Sequence, residues 1–418
     1  MKQKKLMLLG GVRYLLPVIE AAHKLGAYVI TVDYLPNNIA HKYSDEYVNV
    51  SIIDREGVLK AAQERQVDGI LSFGVDPGVV TAAYVAEKMG LPSPPLKSVE
   101  ILQNKDKFRD FLETNGFNCP WHKGYENKED ALNDFSRVAN FAKDTSDKEH
   151  EEDEGKFPII VKPVDSAGSK GCKRVDSFDE LSAAIDGAIS ESHSGRFIIE
   201  QFLELKGHQT GSDCFSIDNE LVFCSFDSQY FDKDASNPYA PIAHIWPSDM
   251  PNAAQKELRG ELQRLIRLLN MGTSIYNVEA RVSVDGKPYI MEVSPRGGGN
   301  RLAEVLKLAT GQDLIENDVR FALGLPLLKV ADANYDGVWV DYVLHSVKGG
   351  SFNEIELDSD FKGRHVRDLS VYLAKGEPAR SFIGADRAIG TVFMRFDSYM
   401  EAERAVRCIE PWHIIKVG

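Results

Sequence analysis

The apolar run Lys5 to Gly11 (KLMLLGG) ends in glycines, the pattern of a buried parallel strand that turns into a helix. Leu15 to Leu25 has helical spacing, Gly26 stops it, and Ala27 to Asp33 (AYVITVD) reads as a second strand. Val48 to Ile53 is a third extended stretch, a helix follows over Arg55 to Arg65, and Gly69 to Phe73 is a fourth strand. This alternation predicts an α/β fold that opens with a doubly wound parallel sheet covered by helices on both faces. The proline-rich segment Leu91 to Pro95 is the first linker, which bounds an N-terminal domain at 1–98.

Beyond it, Lys105 to Asn115 reads as a helix ended by Gly116, and Phe157 to Pro163 (FPIIVKP) as a strand. Phe178 to Ile189 is helical, Arg196 to Leu203 is extended, and Asp213 to Phe226 is extended with a turn near Asp218-Asn219. A helix spans Ala254 to Leu269, and Ser274 to Val284 and Pro288 to Val293 flank a turn at Asp285-Gly286. These elements form a second, α+β unit over 99–330. From about Val338 strands and helices mix in a small α+β subdomain, 331–418, that ends in a helix over Tyr399 to Ile409.

Composition narrows the class. Of 418 residues 43% are hydrophobic and 27% charged, which suits a soluble multidomain globule with ample core. A formal charge of −14 argues against nucleic acid as the main partner. Part of the excess is local: Lys143 to Lys156 holds seven acids and three bases, and the aperiodic Asp144 to Glu154 reads as a solvated insertion. The cysteines (Cys119, Cys172, Cys214, Cys224 and Cys408) are dispersed, without a CxxC pair, as in a reducing compartment. The opening MKQKKLMLLGGV resembles a signal peptide, but Arg13 breaks the apolar run and no small-residue cleavage site follows. With no window of about 18 uncharged apolar residues, the expectation is a cytoplasmic protein without a membrane partner.

Candidate chemistry begins at Lys162, at a strand end before Ser166, Ala167, Gly168, Ser169 and Gly171. Small residues let backbone N–H groups approach phosphate oxygens and let the loop close over a nucleotide. The loop is not a Walker A string, and alone it is better read as a glycine-serine hairpin loop. Glu279 and Glu292 lie on two successive strands joined by a short turn. Two adjacent carboxylates need a cation, and hard Mg²⁺ that bridges phosphates suits them. Glu292 is embedded in the apolar YIMEV, where an acid requires a partner, and Arg296 follows with a fork of donors. Gly10-Gly11 and Asp33 sit at strand ends as in a dinucleotide site, but the GxGxxG fingerprint is absent, which argues against NAD.

From about Leu6 to Leu328 the ordered set resembles the ATP-grasp superfamily, in particular its carboxylate–amine ligases. The resemblance implies a two-lobed α+β ATP-grasp domain over 99–330 that binds ATP and Mg²⁺. It makes Lys105 the first phosphate-contacting lysine, with Lys107 a competitor, and Lys162 the second. It makes Ser166 to Gly171 the loop over the phosphates, and Glu200-Gln201-Phe202-Leu203 the hinge whose carboxylate and backbone bind adenine. Glu279 and Glu292 become the magnesium ligands, and Arg296 the arginine beside the transferred phosphoryl group. Two positions depart from the family pattern. Gln209 stands where a glutamate binds the ribose hydroxyls, and Ser294 where an asparagine follows the second metal acid. Asn300 in the GGGN loop either compensates or contacts the carboxylate substrate, and His244, in PYAPIAHIWP, is a substrate-facing candidate or a structural histidine.

The resemblance implies an enzyme that activates a small carboxylate as an acyl phosphate for attack by an amine, with release of ADP and phosphate. It is compatible with a homodimer. Two alternatives stay open. One is a purine-biosynthesis ATP-grasp enzyme, a ribonucleotide amine ligase or a carboxyphosphate-forming synthase, for which Arg13 is the one obvious phosphate ligand. The other is a non-catalytic ATP-binding regulatory protein of the same fold.

Overall fold

A computed structural model describes residues 2–144, 157–166, 168–409 and 411–418, with the backbone alone over 137–144. The acidic insertion and Ala167 thus lie outside the described residues. The chain opens on a four-stranded parallel sheet in the order Glu46–Val48, Tyr28–Val32, Lys5–Leu9, Gly69–Ser72. Its strands are apolar on both faces because alternate residues feed two separate cores. Leu6, Leu8, Val29 and Leu71 pack with the helix Leu16–Lys24, while Met7, Leu9, Ile30 and Ile70 pack with Arg55–Arg65 and Asp76–Met89. The first core also takes in Leu302, Val305, Leu306, Leu314 and Val319, so helices Leu302–Thr310 and Leu314–Ala322 dock on the opening sheet.

Two antiparallel four-stranded sheets follow. The first runs His122–Tyr125, Phe197–Gln201, Ile159–Pro163, Lys173–Val175; the second runs Glu220–Cys224, Thr210–Ile217, Ser274–Val282, Pro288–Ser294. A five-stranded sheet then draws Ser228–Phe231 and Pro241–Trp246 together with Val338–Leu344, Gly390–Phe396 and Val366–Val371, and so takes strands from both sides of residue 330. A three-stranded sheet near the C-terminus completes the fold. Among the described residues no helix is long and apolar enough to cross a membrane.

The structure corrects the sequence reading in three places. The third strand is Glu46–Val48 rather than Val48 to Ile53, because the chain turns at 49–53 to present Asp54 as the cap of the next helix, accepting from Gly57 N at 3.0 Å. The proline segment runs at once into a helix, Leu96–Leu102, which buries Val99 and Leu102. His244 lies within a strand, Pro241–Trp246, despite its flanking prolines.

Candidate active site

The two glutamates meet as the hairpin predicts. Glu279 and Glu292 are direct register partners, with a bulge immediately after Glu279. Directly opposed side chains in an antiparallel pair stand on one face, about 5 Å apart at Cβ. Burial and the Glu292 charge push the Glu279 carboxyl up to about 7, so the pair is unfavourable as two anions without a cation. That donor set fits a hard divalent ion. No group of three or more potential metal-ligating side chains occurs among the described residues.

Lysines approach the acids from two directions. Lys105, the first residue of the helix Lys105–Thr114, lies 3.4 Å from the Glu292 carboxylate and donates to the Ser166 carbonyl at 3.0 Å. It thereby ties the first lysine to both the second acid and the start of the glycine loop. Lys107 is exposed. Lys162, on Ile159–Pro163, donates to Glu200 Oε2 at 2.6 Å.

The Glu200 carboxylate, placed in the adenine hinge by the family resemblance, is paired with two cations of this chain. It is fully buried, and Arg109 Nε lies 2.9 Å from its other oxygen. Burial alone would raise its pKa, but Arg109 and Lys162 outweigh that and hold it at about 2. Arg109 stands one helical turn after Lys105, on the same face, which is why one helix serves both clusters. Gln209 is also occupied: its amide nitrogen donates to Gln229 at 2.9 Å and its oxygen accepts from Arg281.

Arg296 is held by a residue the sequence reading missed. Its guanidinium grips Asp76 with two bonds, Nε to Oδ1 at 2.9 Å and Nη2 to Oδ2 at 2.8 Å. Asp76 begins the helix Asp76–Met89 of the opening sheet, so its only sequence signal was a helix start, GVDP. Ser294, the departure from the family's asparagine, donates to the same Asp76 oxygen at 2.7 Å and accepts from Gln103 at 2.7 Å. A cavity of about 190 Å³ is lined by Asp76, Gln103, Lys105, Ser166, His193 and Glu292. A larger cleft of about 920 Å³ lies apart from the glutamates and includes Arg13, His23, Lys24, Arg301, Glu304 and Tyr372.

The GGGN loop is built by close approach. A Cβ on Gly297 would meet the Phe73 ring at 2.2 Å, and one on Gly298 would meet Leu302 at 2.6 Å and Asp213 Oδ1 at 2.8 Å. Asn300 and Arg301 then take left-handed backbone at φ 51° and 64°, a strain typical of functional loops. Asn300 Oδ1 accepts a long hydrogen bond from Tyr14, at 3.4 Å. His244 is buried, its Nδ1 held by Asp227, and it stacks on Trp246. Burial lowers its pKa, but Asp227 and the neighbouring Asp341 and Asp213 raise it further, and the net direction is up.

Comparison with known proteins places these residues in context. Residues 155–304 match the ATP-grasp domain family model. A formate-dependent phosphoribosylglycinamide formyltransferase from Prochlorococcus marinus is 26% identical over 334 residues, covering 78% of each chain. A carbamoyl phosphate synthase large chain from Clostridium perfringens is 22% identical over 89% of this chain, which spans 33% of that longer protein. Among solved structures, the L-amino acid ligase from Bacillus licheniformis superposes over 100% of both chains with a TM-score of 0.79 at 20% identity. Phosphoribosylglycinamide synthetase from Anaerococcus prevotii does so with a TM-score of 0.74 at 18% identity.

Proposed function

We propose, from the match of residues 155–304 to the ATP-grasp domain family model, that the chain is an ATP-dependent carboxylate–amine ligase. One observation carries the reading: two glutamates are opposed, Lys105 sits on one of them, and Lys105, Glu292 and Ser166, at the start of the glycine-rich loop, line one cavity. Lys105 and Lys162 hold phosphate oxygens, and release from Glu292 and Glu200 frees their charges for that task. Glu279 and Glu292 would hold Mg²⁺, which when bound neutralises charge between the phosphates. Gln201 and Leu203 face the base, and Ser166 to Gly171 closes over the phosphates.

A carboxylate is a poor electrophile. Its oxygen attacks the γ-phosphorus, the bond to the β-phosphate oxygen breaks, and ADP leaves. Arg296, aimed by Asp76, steadies the transferring group and then the oxyanion formed when an amine attacks the acyl carbon. The carbon–oxygen bond to phosphate then breaks, and an amide and phosphate result. ADP release should accordingly require a carboxylate and rise strongly with an amine, measured across a panel of both singly and in pairs. Equal release with every addition, or none with any, contradicts a ligase.

A second reading has its own observation. The cleft of about 920 Å³ holds Arg13 over the Tyr372 ring at 4.6 Å, and a ribonucleotide phosphate would meet that guanidinium there, although Glu20 and Glu304 also line the cleft. Glycinamide ribonucleotide as the preferred amine in the same panel would favour this purine-biosynthesis role.

A further inference from the structure

Four side chains from three distant stretches of the chain form one line of hydrogen bonds that ends at Arg296. Gln103 Nε2 donates to the Ser294 hydroxyl at 2.7 Å, and that hydroxyl donates to Asp76 Oδ1 at 2.7 Å. Asp76 in turn accepts from Arg296 at both oxygens, at 2.9 and 2.8 Å. Chemistry fixes the direction of each bond. A carboxylate only accepts, so the single Ser294 proton goes to Asp76, and Gln103 must present its amide nitrogen rather than its oxygen.

The line is sheltered and complete. Ser294 is 1% and Arg296 9% exposed, so little water competes for their bonds. Among the described residues, none of the four side chains holds a buried polar atom without a partner. The Arg296 segment is also seated on the opening sheet without these side chains. Gly74 N donates to the Gly297 carbonyl at 3.2 Å, and the Phe73 ring covers Gly297 so closely that a Cβ there would meet it at 2.2 Å. A segment docked in this way does not need the line in order to fold. What the line adds is a fixed rotamer at Arg296.

Its place in the molecule is beside the candidate metal acids. Asp76 and Gln103 line the cavity of about 190 Å³ that Lys105 and Glu292 share, and the Glu292 charge acts on Arg296. Ser294 follows Glu292 by two residues on the strand Pro288–Ser294. Three of the five Arg296 N–H donors are engaged, two by Asp76 and one by the Gly297 carbonyl at 3.0 Å. Two remain, one on each terminal nitrogen. A guanidinium gripped at Nε and Nη2 cannot rotate without breaking both bonds, so the Asp76 carboxylate sets the plane in which those free donors lie.

We infer that Gln103 and Ser294 are positioning residues that act through Asp76 to fix the plane in which Arg296 presents its free N–H donors to the transferring phosphoryl group. The inference rests on the ligase reading and deepens it. It gives Ser294 a task of its own, which accounts for a serine where the family pattern has an asparagine. The hydroxyl both donates and accepts, so one short side chain links Gln103 to Asp76 in buried surroundings. Loss of either residue leaves Arg296 paired with Asp76, but it frees that carboxylate to turn and to carry the guanidinium with it.

The test is a set of double-mutant cycles. Gln103→Met keeps the side-chain length and removes the amide, and Ser294→Ala removes the hydroxyl. Each should lower kcat by about 10-fold and leave KM for ATP and for the carboxylate within about twofold, because a small misplacement of a reacting group slows transfer more than it weakens binding. Together they should lose little more than either alone, since both break the same line. In an Arg296→Lys background, where no fork is left to aim, Gln103→Met should lower kcat no further. Equal losses in the two backgrounds, or losses carried by KM, would mean a structural role and overturn the inference. So would Ser294→Ala with kcat retained and a raised Mg²⁺ concentration for half-maximal rate, which would make Ser294 a metal ligand. A thermal melt checks that each variant is folded at the assay temperature, and if Ser294→Ala is not, Gln103→Met carries the test alone. Wild-type rates in the variants sink the positioning role alone, whereas no ADP release with any carboxylate removes the ligase reading and this role with it.

Discussion

Glu292→Gln will lower turnover by about 10²-fold or more while the protein stays folded. The substitution keeps size and hydrogen-bonding capacity but removes a charge from a pair of opposed carboxylates. A metal that bridges phosphates supplies several kcal/mol of transition-state stabilisation, and each 1.36 kcal/mol is about tenfold in rate. Nucleotide affinity should fall less, because Lys105, Lys162 and the glycine loop remain. Lys105 loses its 3.4 Å ion pair with Glu292 and is left available to the phosphates. Stability should hold or rise slightly, since the Glu292 charge is one of the causes that push Glu279 up to about 7. Steady-state kinetics against Mg²⁺ concentration and a thermal melt check the two halves together. Near wild-type turnover at limiting Mg²⁺ would remove the metal role from Glu292.

Glu200→Gln should act in the opposite sense, on stability first. It leaves Arg109, 1% exposed, without its anion. Removing one partner of a buried pair typically costs about 3–5 kcal/mol. The wild-type contribution depends on pH. Because the folded pKa of Glu200 is depressed to about 2 from an ordinary 4.5, its stabilisation is fully present above about 4.5 and is lost as pH falls through 2. The difference between the two pKa values corresponds to about 3 kcal/mol. Urea unfolding should thus show a wide gap between wild type and Glu200→Gln at pH 7 that narrows steadily below about pH 4.5. A gap that stays constant down to about pH 2 would mean the carboxylate charge is not what Arg109 and Lys162 hold.

Local periodicity carried most of what the sequence revealed. The glutamate pair was legible because a short turn between two strands leaves little freedom in register, and Asp285-Gly286 marked that turn. Lys162 and its loop gained meaning only from the ordered set around them, since alone the loop reads as a glycine-serine hairpin loop. The partners of Glu200 were not legible: its strand, Phe197–Gln201, is buried on both faces, so alternation could not say which way the carboxylate points. Its partner Arg109 is far away in sequence, and only the fold brings them together. Asp76 looked like a helix start, and its grip on Arg296 joins residues 220 apart in sequence. The neighbours of His244 were not legible, because its strand partner Asp341 lies across the expected boundary at 330. Contacts of that range leave no local signature.

The central claim is that a carboxylate oxygen attacks the γ-phosphorus, and isotope transfer tests it without reliance on any one residue. With a substrate carboxylate labelled with heavy oxygen, turnover in unlabelled water should give phosphate that carries one labelled oxygen, because the acyl carbon–oxygen bond is the one that breaks when the amine attacks. Phosphate free of label, with its new oxygen drawn from water, would mean direct hydrolysis of ATP and would contradict the ligase account.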